Sequence, residues 1–335
     1  MIYHKSESVM FTPGHMNRGG PHERLYDSIS SFLGRKPPSG IPKKWERFSD
    51  FAILPAGAFE GRNWEGISGP GLWKSVADGL DVERLGIMGE VSGRTRKSGV
   101  KMLLGEDDWV VRRENGVDYG YHVTKCMFSA GNVNERRRMG EIVGSDEVVV
   151  DLFSGIGYYS LPVLVHSEAR HVHCCEWNDD AIESLEWSLK ENGVESRCTI
   201  HRGDNRNSSK KIGGVADRVI MGLLPSSEAS ISAAVNVLSE DGGMVHIHGL
   251  AKPGEYSSWG GRVASEIGDY GKDYDVRVEQ INRIKSYAPH WDHIVVDIRC
   301  MNPLNSSRVP RSQSHGKGLV VAGCRLLQSK VQRIP

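Results

Sequence analysis

Apolar residues follow two rhythms along this chain, short unbroken β-branched runs and four-residue steps, and the two alternate most regularly between residues 147 and 248. Val148-Val149-Val150 ends in Asp151, and Leu152-Phe153-Ser154-Gly155-Ile156-Gly157 then opens an apolar segment over 158–165. A run that short predicts a buried parallel strand, and the segment after it predicts the start of a helix. His171-Val172-His173-Cys174-Cys175-Glu176 is a second strand. Asn178 caps the next helix, with Asp179 and Asp180 in its first turn, Ile182, Leu185 and Leu189 on its apolar face, and Gly193 at its end. Strands follow over 198–201, 217–221 and 243–248, with a helix marked by Trp259, Val263 and Ile267. Residues 275–284 and 292–300 close the set as an antiparallel pair. Strands alternating with helices in this way predict an α/β fold on a mostly parallel sheet.

The flanks carry weaker patterns. Leu25, Ile29, Phe32 and Leu33 predict a short amphipathic helix ending near Gly34, within an N-terminal extension over 1–40. A strand at 51–54 and a helix marked by Leu72, Trp73, Val76 and Leu80 suggest a small α/β domain over 41–108. Its cluster Arg94, Thr95, Arg96 and Lys97 reads either as a phosphate contact or as a solvated turn. Val110 and Val111 on one side of Asn115-Gly116, with Val117, Tyr119 and Tyr121 on the other, predict a hairpin. That hairpin begins the catalytic domain, 109–300, and residues 301–335 read as a tail outside the core.

Four strand ends carrying glycine or polar residues make a ligand crevice at the carboxyl edge of the sheet. Gly155 and Gly157 remove Cβ atoms where a ligand approaches the backbone. Glu176, about 20 residues on, supplies a ribose acceptor of the kind this fold uses. The Asp204-Asn205 pair ends the third strand, and Gly222-Leu223-Leu224-Pro225 the fourth. The first turn lacks the full G-x-G-x-x-G, which favours S-adenosylmethionine over a dinucleotide. His246 and His248 share one side of the fifth strand and are either substrate contacts or packing groups.

Charge and cysteine content narrow the picture further. Lysine plus arginine and aspartate plus glutamate number 42 each, so an RNA partner has to be met by a local basic patch. Six cysteines without a C-x-x-C pair favour reduced thiols in the cytoplasm over disulfides or a zinc site. The expectations are therefore no metal, no apolar signal segment and no membrane span.

Several motifs occur together in order: Val123-Thr124-Lys125-Cys126-Met127-Phe128-Ser129-Ala130-Gly131-Asn132, the 151–158 turn, Cys175-Glu176-Trp177-Asn178, Gly203-Asp204-Asn205-Arg206, 222–228, His246-Ile247-His248 and Lys285-Ser286-Tyr287-Ala288-Pro289-His290. Over about residues 41–300 they resemble the tRNA wybutosine-synthesising protein 2 family. That resemblance implies a class I, Rossmann-like S-adenosylmethionine-dependent methyltransferase fold and aminocarboxypropyl transfer to 4-demethylwyosine at position 37 of phenylalanine tRNA. It implies S-adenosylmethionine as co-substrate and the anticodon loop of that tRNA as partner. Its cofactor contacts fall on Ser129, Arg136, Glu176, Asp204 and Asn205, with Phe128, Asp151, Gly155 and Gly157 in support. Arg136 is expected to pair with the cofactor's carboxylate, and Asp204 and Asn205 to read the adenine edge. Lys125, Asn132 and Pro225 are candidates for positioning, and Arg94, Arg96 and Lys97 for RNA. The related tRNA guanine-37 N1-methyltransferases are the alternative, and they carry an Asn-Leu-Pro motif that this chain lacks at its fourth strand end. His122 departs from the family pattern, which has aspartate before Val-Thr-Lys.

Overall fold

A small sheet, a hairpin and a large sheet follow one another along the chain, and each is held to the next by buried side chains. The computed structural model describes residues 19–90, 93 and 98–305. The first unit comprises α1 (Pro21–Leu33), β1 (Glu46–Phe48), β2 (Phe51–Leu54), α2 (Pro70–Leu80), β3 (Arg84–Ile87) and β4 (Lys101–Leu104), with sheet order β1-β2-β3-β4. The expected extension over 1–40 is corrected here. Leu25 and Ile29 are fully buried against α2, so α1 belongs to the core of the small unit. Gly79 permits the close approach, since a Cβ there would lie 2.9 Å from Leu25 Cα, and Ser28 Oγ donates to the Ser75 carbonyl at 2.7 Å.

The predicted hairpin forms as β5 (Trp109–Glu114) and β6 (Val117–His122), with Asn115 and Gly116 both at positive φ. It is wedged between the two sheets. Arg112 reaches Glu46 of β1 at 2.7 Å, while Gly120 lies so close to the Trp187 ring that any side chain would clash. His122 holds Asp108 at 2.6 Å, and Thr124 N–H donates to the same carboxylate at 3.1 Å. His122, which stands where the family has aspartate, thus lies beside a carboxylate, that of Asp108.

The large unit is built from α3 (Val133–Ile142), β7 (Val148–Asp151), α4 (Ser160–His166), β8 (His171–Glu176), α5 (Asp179–Glu191), β9 (Cys198–Arg202), α6 (Asn205–Ser208), β10 (Arg218–Met221), α7 (Ile231–Val237), β11 (Gly242–Ala251), α8 (Tyr256–Tyr270), β12 (Asp275–Ala288) and β13 (Trp291–Met301). Its sheet order is β12-β13-β11-β10-β7-β8-β9, with the five strands β11 to β9 parallel and β13 and β12 antiparallel at one edge. β7 and β10, apolar but for Asp151 and Arg218, are buried along their length, as strands covered on both faces must be. From β7 the chain winds one way to β9 and then returns to β10, which puts the switch point of the sheet between β7 and β10. β13 runs to Met301 and a 3-10 turn occupies Pro303–Asn305, and the rest of the expected tail, 306–335, lies outside the described residues.

Candidate functional site

A cavity of about 360 Å³ opens at that switch point. The turn after β7 shapes its floor. Asp151 is fully buried, accepts from Phe153 N–H at 3.1 Å and Ser160 Oγ at 2.7 Å, and does not line the cavity. Burial pushes its carboxyl up to about 6, against those two donors. Gly157 (φ 95°) backs onto Leu161 and Leu185, whereas Gly155 (φ 55°) faces the cavity and donates to Glu176 Oε2 at 2.8 Å. Glu176 Oε1 accepts from the N–H groups of Trp177 and Asn178, each at 2.8 Å. Burial raises the Glu176 carboxyl, while these three backbone donors favour its charged form. A carboxylate has about four acceptor sites, so Glu176, which lines the cavity, keeps acceptor capacity beyond its three backbone donors.

The adjacent pair behaves differently from the expectation of a simple adenine reader. Asn205 Nδ2 donates to the Leu152 carbonyl at 2.8 Å and its Oδ1 accepts from Ser230 Oγ at 2.8 Å. Its amide therefore braces the end of β7 against the start of α7. Asp204 caps α6, accepting from Arg206 N–H at 3.0 Å, and pairs with the Arg206 guanidinium at the rim. Both residues still border the cavity.

The opposite end of the cavity brings together Ser129, Asn132, Arg136 and Lys285. Of the three arginines on α3, only Arg137 is a solvated charge, 60% exposed and 3.4 Å from Glu141. Arg138 pairs with buried Glu135 and with Asp297 of β13, both at 2.7 Å. Arg136 is 1% exposed. It forms a two-pronged pair with Glu114 at 2.6 and 2.8 Å, donates to the Ser129 carbonyl at 2.9 Å, and lies 4.5 Å from the centre of the Phe128 ring. The guanidinium expected to meet the cofactor's carboxylate thus already has its charge matched by Glu114. Lys285 Nζ donates to Ser129 Oγ at 2.7 Å and adds a second cation. Asn132 Oδ1 is buried without a hydrogen-bond partner. An acceptor in that state, beside two cations and opposite Glu176, suits a zwitterionic sulfonium nucleoside.

Other expected site residues lie elsewhere. Lys125 pairs with Asp180 at 3.0 Å outside the cavity, because the first turn of α5 presents that carboxylate to it. Phe128 packs behind the cavity among Tyr119, Tyr121 and Tyr158. Pro225 borders an adjoining groove instead. Arg94, Arg96 and Lys97 fall outside the described residues. His246 and His248 are buried away from the cavity; His246 joins Asp297 and Arg218, both at 2.6 Å, and His248 meets His293 at 2.9 Å. Glu114 and Lys285 escaped the sequence reading. Glu114 looked like one flank of a hairpin turn, and the Lys285 motif carried no local sign of its contact across 156 residues. Among the described residues, five cysteines are free, no group of three or more His, Cys, Asp or Glu is placed to hold a metal ion, and no helix is long and apolar enough to cross a membrane.

Sheet order, glycine turn and acidic second strand end together define a class I methyltransferase fold of the S-adenosylmethionine type. A family model described as the TRM5/TYW2 methyltransferase domain matches residues 110–258. The bovine tRNA wybutosine-synthesizing protein 2 homolog is 37% identical over 341 residues, covering 84% of this chain and 77% of the relative. The structure titled P. horikoshii TYW2 in complex with MeSAdo is 30% identical, covers 83% of this chain and 99% of its own, and superposes with a TM-score of 0.69. The chain belongs to the tRNA wybutosine-synthesizing protein 2 family. A 43% identical Arabidopsis thaliana relative, named tRNA wybutosine-synthesizing protein 2/3/4, matches 84% of this chain, which spans only 29% of that relative's length.

Proposed function

We propose that this protein transfers the 3-amino-3-carboxypropyl group of S-adenosylmethionine to C7 of 4-demethylwyosine at position 37 of phenylalanine tRNA, releasing methylthioadenosine. The observation that carries the reading is the end of β10. Gly222 has no room for a side chain, since a Cβ would lie 2.7 Å from the Tyr159 ring, and Leu223 and Leu224 line the cavity with apolar groups. The amide that marks the methylating relatives at this strand end is therefore absent from the cavity wall. The cofactor supplies an electrophilic carbon beside its sulfonium, and selectivity rests on which carbon is held in line at about 3–3.5 Å from the nucleophile.

In this reading Glu176 holds the ribose and the 204–205 turn borders the base. Ser129, Lys285 and Arg136 hold the carboxylate end, with Asn132 Oδ1 accepting from the ammonium. Arg136, locked by Glu114, acts chiefly by fixing the Ser129 backbone. The five free cysteines, four of them buried, suit a cytoplasmic setting, and the anticodon loop of the tRNA is the partner.

The test is incubation with S-adenosylmethionine and tRNA carrying 4-demethylwyosine, followed by mass spectrometry of the nucleosides. An aminocarboxypropyl adduct with equimolar methylthioadenosine is expected. A methyl adduct with S-adenosylhomocysteine would establish methyl transfer instead.

A further inference from the structure

A second groove of about 720 Å³ runs beside the cofactor cavity, and Ser226 and Tyr287 line both. Its walls include Leu250, Trp259 and Trp291, with Pro225 at the junction. Two of its rings are unusually open for their size: Tyr287 is 42% and Trp291 41% exposed. They stand on either side of the β12–β13 turn, where Trp291 pairs with Ala288. Lys252 Nζ lies 5.5 Å from the centre of the Trp291 ring. Trp259 is partly buried in the second core and fixed against Gly249, where even a methyl group would clash with its ring.

Resting on the activity proposed above, we infer that this groove is a stacking shelf for the nucleotide next to the modified base. An enzyme acting on a base inside a loop extrudes it into the reactive cavity. The neighbouring nucleotide, still bonded to it, then leaves through the mouth of that cavity, and Tyr287 leads from that mouth into the groove. Exposed aromatic faces recognise single-stranded RNA by stacking on unpaired bases, largely without regard to sequence. Lys252 adds a cation at the shelf, suited to the accompanying phosphate. A second copy of the chain is the competing occupant. The groove's continuity with the substrate cavity favours RNA.

The experiment uses the full chain and tRNA carrying 4-demethylwyosine, intact or made abasic at one or the other nucleotide flanking position 37. Trp291→Ala should weaken binding of intact tRNA about tenfold, at the low end of what a stacked base contributes. Trp291→Phe should restore most of it, and methylthioadenosine affinity should not change in either variant, which reports a folded site. One of the two abasic RNAs should bind the unaltered protein about tenfold more weakly, with little further loss on Trp291→Ala, the signature of one shared contact. Additive losses, or equal binding by Trp291→Ala, would overturn the shelf. Self-association of the unaltered protein that Trp291→Ala abolishes would reassign the face to a second copy. If the protein gives the expected coupling yet transfers no aminocarboxypropyl group, the activity reading fails and the shelf stands.

Discussion

Arg136 offers the sharpest test of how the site is held. Arg136→Ala removes a guanidinium that is 1% exposed and leaves the Glu114 carboxylate, 15% exposed, without its two-pronged partner. Breaking a buried pair from one side costs about 3–5 kcal/mol, because the remaining charge stays desolvated. Loss of the contact over Phe128 adds roughly 0.5–2 kcal/mol. For a chain of this size that lowers the melting temperature by roughly 5–10 °C. A drop in activity alone is therefore ambiguous, and a double variant resolves it. Glu114→Gln with Arg136→Met removes both charges while keeping most of the volume, and such swaps are often nearly neutral for stability. Calorimetric melting of the single and double variants gives the coupling, and single-turnover transfer is measured on the double variant. Stability should return while transfer stays depressed, since the Ser129 carbonyl has lost its anchor. Full recovery of transfer would reduce the pair to a structural brace. A melting temperature within 2 °C of the unaltered protein for Arg136→Ala would refute the pairing argument itself.

Further expectations follow from single contacts. Glu176→Gln sets an amide NH₂ among three backbone donors, so methylthioadenosine affinity should fall at least about tenfold; unchanged affinity by titration calorimetry would remove Glu176 from the site. Asn205→Ala strands the Leu152 carbonyl and Ser230 hydroxyl and should cost about 1–3 kcal/mol in urea unfolding. A loss of cofactor affinity without a loss of stability would restore the ligand-reading role. Arg218 can only donate, so His246 Nε2 accepts and the ring proton sits on Nδ1, toward Asp297. Burial pushes His246 down to about 4, so the unfolded chain takes up this proton near 6.5 and the folded chain only near 4. Its contribution, about 3 kcal/mol, is present above 6.5 and lost as pH falls through that window. Asp151, raised to about 6, acts in the opposite sense between about 4 and 6, so Asp151→Asn should steepen acid unfolding. Ring nitrogen shifts showing His246 protonated at pH 6 would overturn the tautomer assignment.

Strand ends were legible in the sequence because a strand and the turn after it are local. Glu176 and Gly155 meet at the cavity as the spacing suggests, and Asn178 caps α5 by accepting from Asp180 N–H at 3.2 Å. Side-chain pairing was less legible, since it depends on which distant elements the fold brings together. Nothing local distinguishes Arg136, held by Glu114, from solvated Arg137 one position on, and nothing local joins Lys125 to Asp180. The apolar stripe of α1 was readable, but a stripe does not name the surface that covers it, and α2 does so here. His122 broke the motif in the sequence, and its contact with Asp108, 14 residues earlier, carried no local sign.

Phe128 has a guanidinium on each side: Arg112 lies 4.6 Å from its ring centre and Arg136 4.5 Å. Arg112 answers to Glu46 in the small sheet, and Arg136 belongs to α3 and lines the cavity. One aromatic ring thus links the small sheet, the hairpin and α3 through two cations. If the small unit grips tRNA, its distance from the reacting base is set in advance by the protein. Under the proposed activity, such a fixed spacing would act as a ruler, and a tRNA with a longer or shorter reach between grip and base 37 would fit it less well.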